Sequence, residues 1–279
     1  MIEFVRTGPL ATLQDLGRPG YAALGVPLAG AFDRGAAALA NRLVGNEPSA
    51  AVVELTLGGA VLHVREAATI ALTGARCPGL DWGTPVSVRA GSIVVLGIPT
   101  AGLRSYLAVR GGFDSPAVLG SRSTDTLSGL GPAPLADGDA LGIAGPAPGE
   151  VDGSAAVPSP ALDERPLRVL PGPRDDWFAP AALERLTTTV WSVRSDSDRV
   201  GVRLDGPPLQ RARSGELPSE PTLPGALQVP PDGRPILFGP DAPVTGGYPV
   251  IATVLDADLG RAAQVRPGDA VRFTLPRIR

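Results

Sequence analysis

The stretch Thr12-Leu13-Gln14-Asp15-Leu16-Gly17-Arg18-Pro19-Gly20-Tyr21 crowds polar side chains and glycines directly behind an apolar opening run. Glycine lets a backbone approach a ligand closely or adopt positive φ. Asp15 and Arg18 either pair with one another, or leave Arg18 to fork onto a carboxylate or phosphate. A second group follows an apolar strand: Arg110-Gly111-Gly112-Phe113-Asp114, then Leu119-Gly120-Ser121-Arg122-Ser123-Thr124-Asp125-Thr126. Backbone amides, hydroxyls and a guanidinium in sequence suit an oxyanion. Asp125 acts there as a base, orients Arg122, or closes a hydrogen-bonded loop. A third group is Asp241-Ala242-Pro243-Val244-Thr245-Gly246-Gly247-Tyr248-Pro249. It sets a hydroxyl, two glycines and a phenol beside a strand. Tyr248 is either part of that edge or core packing. Two further groups, Gly25–Asp33 and Asp196–Leu204, read first as a helix cap and a charged turn.

Two absences narrow the chemistry. The chain contains no lysine, and all 25 basic residues are arginine. Schiff-base catalysis, a Walker-A loop and a biotinylated lysine are therefore excluded within it. One Cys and one His cannot build a usual zinc site, so no metal is expected. A Ser-His-Asp triad would need His63, which sits in the alternating run Val61-Leu62-His63-Val64-Arg65 and reads as a strand residue.

The elements that must position these groups are mostly strands. Short β-patterned runs recur: Val61–Val64, Thr69–Thr73, Val86–Val88, Ser92–Gly97, Ser105–Val109, Leu167–Leu170, Thr188–Val193, Ile236–Phe238, Val250–Leu255 and Ala270–Leu275. With 36 Gly and 31 Pro between them, a sandwich or barrel follows. Helices are few: Arg34–Val44, capped by Asp33, and Pro180–Leu186. The Pro- and Ala-rich stretch Gly145–Pro166 reads as a linker, which divides the chain into β domains over 1–160 and 161–279. Both end on a Gly-Asp turn feeding an apolar strand, at Gly138-Asp139 and Gly268-Asp269.

A net charge of −3 argues against nucleic-acid or anionic-membrane surfaces. No apolar run approaches the roughly 20 residues that span a bilayer. The opening Met1-Ile2-Glu3-Phe4-Val5 reads as a strand rather than a secretory signal. With a single cysteine, a cytoplasmic location is expected.

Seven segments, in order, carry a family resemblance: 12–20, Gly25–Asp33, Ala40–Asn46, Glu54–Gly59, Leu119–Asp125, Gln228–Gly233 and Thr245–Pro249. Together they resemble the biotin-dependent carboxyltransferase, or allophanate hydrolase subunit 2, family, in which the C subunit of 5-oxoprolinase is also placed. The resemblance implies a mostly-β fold of two cyclophilin-like β-barrel units with a few short helices. It implies a partner like the B subunit of 5-oxoprolinase, or allophanate hydrolase subunit 1, together with a third protein like the A subunit of 5-oxoprolinase. It implies ATP bound by the complex, no biotin attached to this chain, and opening of 5-oxoproline to glutamate. The alternatives are the carboxyltransferase part of a urea carboxylase, and a non-catalytic module that binds a kinase inhibitor. Catalytic roles are expected for Asp15, Arg122, Asp125 and Tyr248, and substrate contacts for Arg18, Asp241, Thr245, Gly246 and Gly247. The family commonly carries Gln and Thr where this chain has Pro243 and Val244, so its substrate or activity is expected to differ there.

Overall fold

The computed structural model describes residues 1–153, 165–215 and 217–276. The chain forms two compact units, one of residues 1–18 and 29–162, the other of residues 19–28 and 163–279. The latter half of the expected linker Gly145–Pro166 lies outside the described residues. Its earlier half is tied down: Gly149 N–H donates to Gly45 O at 2.9 Å and Asp152 N–H to Leu43 O at 3.2 Å.

The first unit runs β1 (Ile2–Arg6), β2 (Leu10–Gln14), α1 (Arg34–Leu43), β3 (Val52–Thr56), β4 (Val61–Val64), β5 (Ala68–Gly74), β6 (Pro85–Val88), β7 (Ser92–Val95), β8 (Arg104–Val109) and β9 (Ala140–Leu141). It has a four-stranded sheet, β7-β4-β1-β9, and a five-stranded sheet, β2-β3-β8-β5-β6. Every pair is antiparallel. Phe4, Leu13, Leu55, Leu62, Leu72 and Leu107 meet in its main core. Helix α1 covers the other face of the five-stranded sheet, packing Ala37, Ala40 and Leu43 against Val52, Ala71 and Ala108. All six residues of β8 are therefore buried, which is why that strand reads as a continuous run and not an alternation. Asp33 caps α1 as expected, accepting from Ala36 N–H at 3.0 Å. Tyr106 Oη and Glu54 Oε2 accept from Asp33 N–H at 2.7 Å and Phe32 N–H at 3.0 Å, fixing the approach to the helix. Burial, then Glu54, pushes the Tyr106 hydroxyl well above its ordinary pKa, so it stays protonated.

The second unit runs β10 (Leu167–Pro171), α2 (Ala182–Thr188), β11 (Trp191–Val193), β12 (Gly201–Asp205), β13 (Glu220–Pro221), β14 (Ala226–Gln228), β15 (Ile236–Phe238), β16 (Thr245–Gly246), β17 (Val250–Val254), α3 (Asp256–Ala262), β18 (Ala270–Val271) and β19 (Phe273–Thr274). Eight strands form one sheet, β18-β11-β12-β15-β14-β17-β10-β19. β13 and β16 make a separate ribbon. The mostly-β class read from the sequence is what is found, as is the paired Gly-Asp turn. Asp139 accepts from Ala136 N–H at 2.8 Å, and Asp269 from Arg266 N–H at 2.8 Å. Among the described residues no helix is long and apolar enough to cross a membrane.

Helix α3 is not legible in the sequence. Its seven residues are held by tertiary contacts rather than an apolar stripe. Asp258 accepts from Arg168 at its backbone N–H (2.8 Å), Nε (3.0 Å) and Nη2 (2.7 Å), and pairs with Arg261 at 2.9 Å. Burial pushes its carboxyl up, but these hydrogen bonds outweigh it and hold the group well below the usual carboxylate range. A depressed folded pKa gives stability that is present above the unfolded value, about 4, and lost as pH falls below it. Asp258→Asn should therefore unfold at lower temperature than the native chain at pH 7. The gap in melting temperature should narrow as pH drops below about 4.

Candidate functional site

The end of β2 and the segment after Val118 come together in the first unit. Val118 and Ser121 exchange backbone hydrogen bonds of 2.8 and 3.2 Å across Leu119 and Gly120, whose φ values are +52° and +78°. This tight turn, with left-handed backbone at both central positions, returns the chain towards Asp15. Asp15 then acts as a hub. Its carboxylate accepts from Ser121 Oγ at 2.7 Å, Arg122 N–H at 2.7 Å, Gly17 N–H at 2.8 Å and Ser123 Oγ. Its own N–H donates to Ser123 Oγ at 2.9 Å. Asp15 therefore orders the Ser121–Ser123 backbone, and it is already committed to four donors.

Arg18 is the unusual member. Its side chain is 1% exposed, and Nη2 donates to Ser123 O. Nε and Nη1 are buried with no hydrogen-bond partner among the described residues. Of the two open readings, pairing with Asp15 is not what forms. A guanidinium this enclosed with unspent donors matches an oxyanion. Gly131 makes the approach possible: at φ +84°, an added Cβ would lie 2.0 Å from Ser123 O and 2.9 Å from Arg18 Nη2. Gly131→Ala should cost about 1–3 kcal/mol of stability. Gly129→Ala, at φ +73° with nothing within 4 Å of the new atom, should cost about 1 kcal/mol. Denaturant unfolding of the two variants checks the difference.

Arg122 is half-buried, and its Nε donates to Ser115 O at 2.7 Å. Asp125 does not orient Arg122. It accepts from Leu127 N–H at 3.0 Å, Ser128 N–H at 3.1 Å and Ser128 Oγ, and closes its own turn. Sequence reasoning passed over Gln14 and Thr124, which line the same region and are 0% and 2% exposed. Both stood inside the quoted motifs; the signal for Gln14 was an uncharged polar group ending an otherwise mostly apolar strand, and Thr124 lies in a loop that gave none.

The remaining candidates belong to the second unit. Asp241 is 0% exposed and holds Arg199 by two bonds of 2.9 Å, Oδ2 to Nε and Oδ1 to Nη2. That pair anchors the turn after Asp198 to the turn after Phe238. Thr245 is exposed on β16, opposite Pro221. A Cβ on Gly246 would meet Gln228 Nε2 at 2.4 Å, so a larger residue there would displace the Gln228 amide. Gln228 Nε2 donates to Tyr248 O at 3.1 Å, and the Arg211 guanidinium lies 5.7 Å from the half-buried Tyr248 ring. Pro243 and Val244 serve through their carbonyls, which accept from Thr222 Oγ1 and from Thr222 N–H, the latter at 2.9 Å. Their side chains take no part in those bonds.

The fold is two units built mostly of β-strands, and comparison with known proteins assigns it to the carboxyltransferase-domain class. Residues 24–275 match the family described as "Carboxyltransferase domain, subdomain A and B", and the chain belongs to it. It is 39% identical to the 5-oxoprolinase C subunit of Escherichia coli, over 98% of this chain and 90% of that one. It is 36% identical to the 5-oxoprolinase C subunit of Haemophilus influenzae, with the same coverage of 98% and 90%. The structure of Kluyveromyces lactis urea carboxylase superposes with a TM-score of 0.91 at 30% identity. The match takes in 98% of this chain but 27% of that protein.

Proposed function

We propose that the chain is the C-type subunit of an ATP-dependent 5-oxoprolinase, acting with B-type and A-type partners in the cytoplasm to open 5-oxoproline to glutamate. The observation that carries this reading is the extent of the match. The Escherichia coli 5-oxoprolinase C subunit corresponds over 90% of its own length, whereas the urea amidolyase of Lachancea kluyveri corresponds over 17% of its length. Arg18 supports it chemically, because both the acid substrate and a phosphorylated lactam present oxyanions to a fixed cation.

ATP, when bound by the complex, would supply the phosphoryl group that converts the lactam oxygen into a leaving group. The chain's own residues fit an oxyanionic substrate. Arg18 offers buried N–H donors at Nε and Nη1, and Arg122 places a second guanidinium in the neighbouring segment. Asp15 holds the Arg122 backbone N–H and the two serine hydroxyls in place. Preorganised donors of this kind stabilise charge as it develops, without reorganisation at the moment of reaction.

The test is phosphate release by the chain reconstituted with its two partner subunits, 5-oxoproline and ATP. Release matched by glutamate, and absent when this chain is left out, supports the reading. Assembly without turnover sinks it. The urea carboxylase superposition favours a second reading, carboxyl transfer to a urea-type nitrogen. Carboxylation of urea by the chain with a carboxylated biotin carrier, and no turnover of 5-oxoproline, would select that one.

A further inference from the structure

The donors on Arg18 are only part of what is unspent at the end of β2. Gln14 Nε2 donates to Thr124 O at 3.0 Å and to Thr12 Oγ1 at 3.0 Å. A backbone carbonyl only accepts, so this fixes which end of the amide is nitrogen. Gln14 Oε1 is thereby turned the other way, where it is buried and accepts from no donor among the described residues. Thr124 Oγ1 is buried and unpartnered as well. The neighbouring backbone ties the three together. Arg18 Nη2 binds Ser123 O, and Thr124 N–H binds Leu13 O at 2.9 Å. Buried polar atoms in folded chains nearly always find partners, so a group with two donor nitrogens, one acceptor oxygen and one hydroxyl left over is complementary to something.

We infer that Gln14, Arg18 and Thr124 form the recognition site for an acid that carries an amide N–H beside its carboxylate. Arg18 meets the carboxylate, Gln14 Oε1 accepts from the adjacent N–H, and Thr124 Oγ1 serves the remaining oxygen. Phosphates of a nucleotide do not answer this pattern, because near neutral pH they offer acceptors to Arg18 and no donor to Gln14. These three side chains therefore answer an amide-acid rather than nucleotide phosphates. 5-Oxoproline has both features on neighbouring ring atoms, and an acyclic N-carboxylated urea carries its carboxylate directly on an N–H nitrogen. The choice of 5-oxoproline as ligand rests on the proposed function.

The experiment is calorimetric titration of the full chain, alone and with its partner subunits. The probes are 5-oxoproline, its ring-oxygen lactone analogue without the N–H, 2-pyrrolidinone without the carboxylate, and inorganic phosphate. We expect 5-oxoproline to bind at least about tenfold more tightly than the lactone or 2-pyrrolidinone, the effect of leaving a buried polar group unpaired. Gln14→Met, which keeps volume and removes the acceptor, should abolish the lactam-over-lactone preference while retaining the dependence on carboxylate. Arg18→Gln should weaken every acid probe. A merely structural role for Gln14 would weaken all probes equally, and an unchanged lactam-to-lactone ratio in Gln14→Met overturns the inference. So does tighter binding of inorganic phosphate than of 5-oxoproline. Turnover of 5-oxoproline with that ratio unmoved sinks this inference and spares the oxoprolinase reading. Binding of an N-carboxylated urea, dependent on Gln14 and Arg18, with none of 5-oxoproline, spares the inference and sinks that reading.

Discussion

Arg199→Leu is expected to destabilise the second unit by about 3–5 kcal/mol, because it leaves the Asp241 carboxylate buried without its cation. The magnitude follows from burial, since Arg199 is 2% and Asp241 0% exposed and the two share paired bonds of 2.9 Å. At the surface the same pair would contribute little. Asp241 N–H also donates to Arg199 O at 3.3 Å, so the two turns are clamped by backbone as well as side chains. Replacing both residues by leucine should recover most of the loss, because neither charge is then stranded. Chemical denaturation of the two variants measures this. Equal loss in the single and double variants would show that the ion pair is not the source. A fall in substrate affinity with stability unchanged would return Asp241 to the substrate-contact role expected of it.

The second large effect is expected at Asp15. Asp15→Ala removes the acceptor from Ser121 Oγ, Ser123 Oγ, Arg122 N–H and Gly17 N–H together. Hydrogen bonds to a charged acceptor contribute about 1.5–3 kcal/mol each, so a loss of about 3 kcal/mol or more is expected even if water or neighbours satisfy several donors. The Arg122 segment should then drift, and a misplacement of about 1 Å can lower turnover of the reconstituted assembly roughly 100-fold. Asp15→Asn distinguishes positioning from proton transfer. The carboxamide cannot accept at both ends, so one of the crowded donors faces an NH2 group. If Asp15 positions the loop, Asn should lower both stability and turnover. If it is the base, Asn should keep the melting temperature and abolish turnover.

Pattern alone carried the class of the fold a long way. Alternating runs between glycine and proline turns specify short strands wherever one face is buried, and Asp33 with Ala36 is a local cap that any reading of neighbouring residues finds. The motifs that carry the family resemblance were likewise contiguous segments. Local pattern failed where stabilisation is tertiary. Helix α3 depends on Arg168, about 90 residues before it in the chain. The continuous burial of β8 depends on α1 lying across it.

At the candidate site the division is sharper. Sequence supplied the residue types: an arginine among glycines, hydroxyls after a strand, and no lysine to share the positive charge. It did not show which charges meet. Asp15 and Arg18 are three residues apart and invite pairing, yet Asp15 spends its oxygens on Ser121 and Ser123, more than a hundred residues away. Asp241 looked like a pocket residue and is locked to Arg199 instead. Composition and periodicity are read one residue and its neighbours at a time, and so they determined class, turns and caps. Which buried donors remain unspent depends on every group that folding brings near them, and so only the tertiary structure could single out Arg18, Gln14 and Thr124.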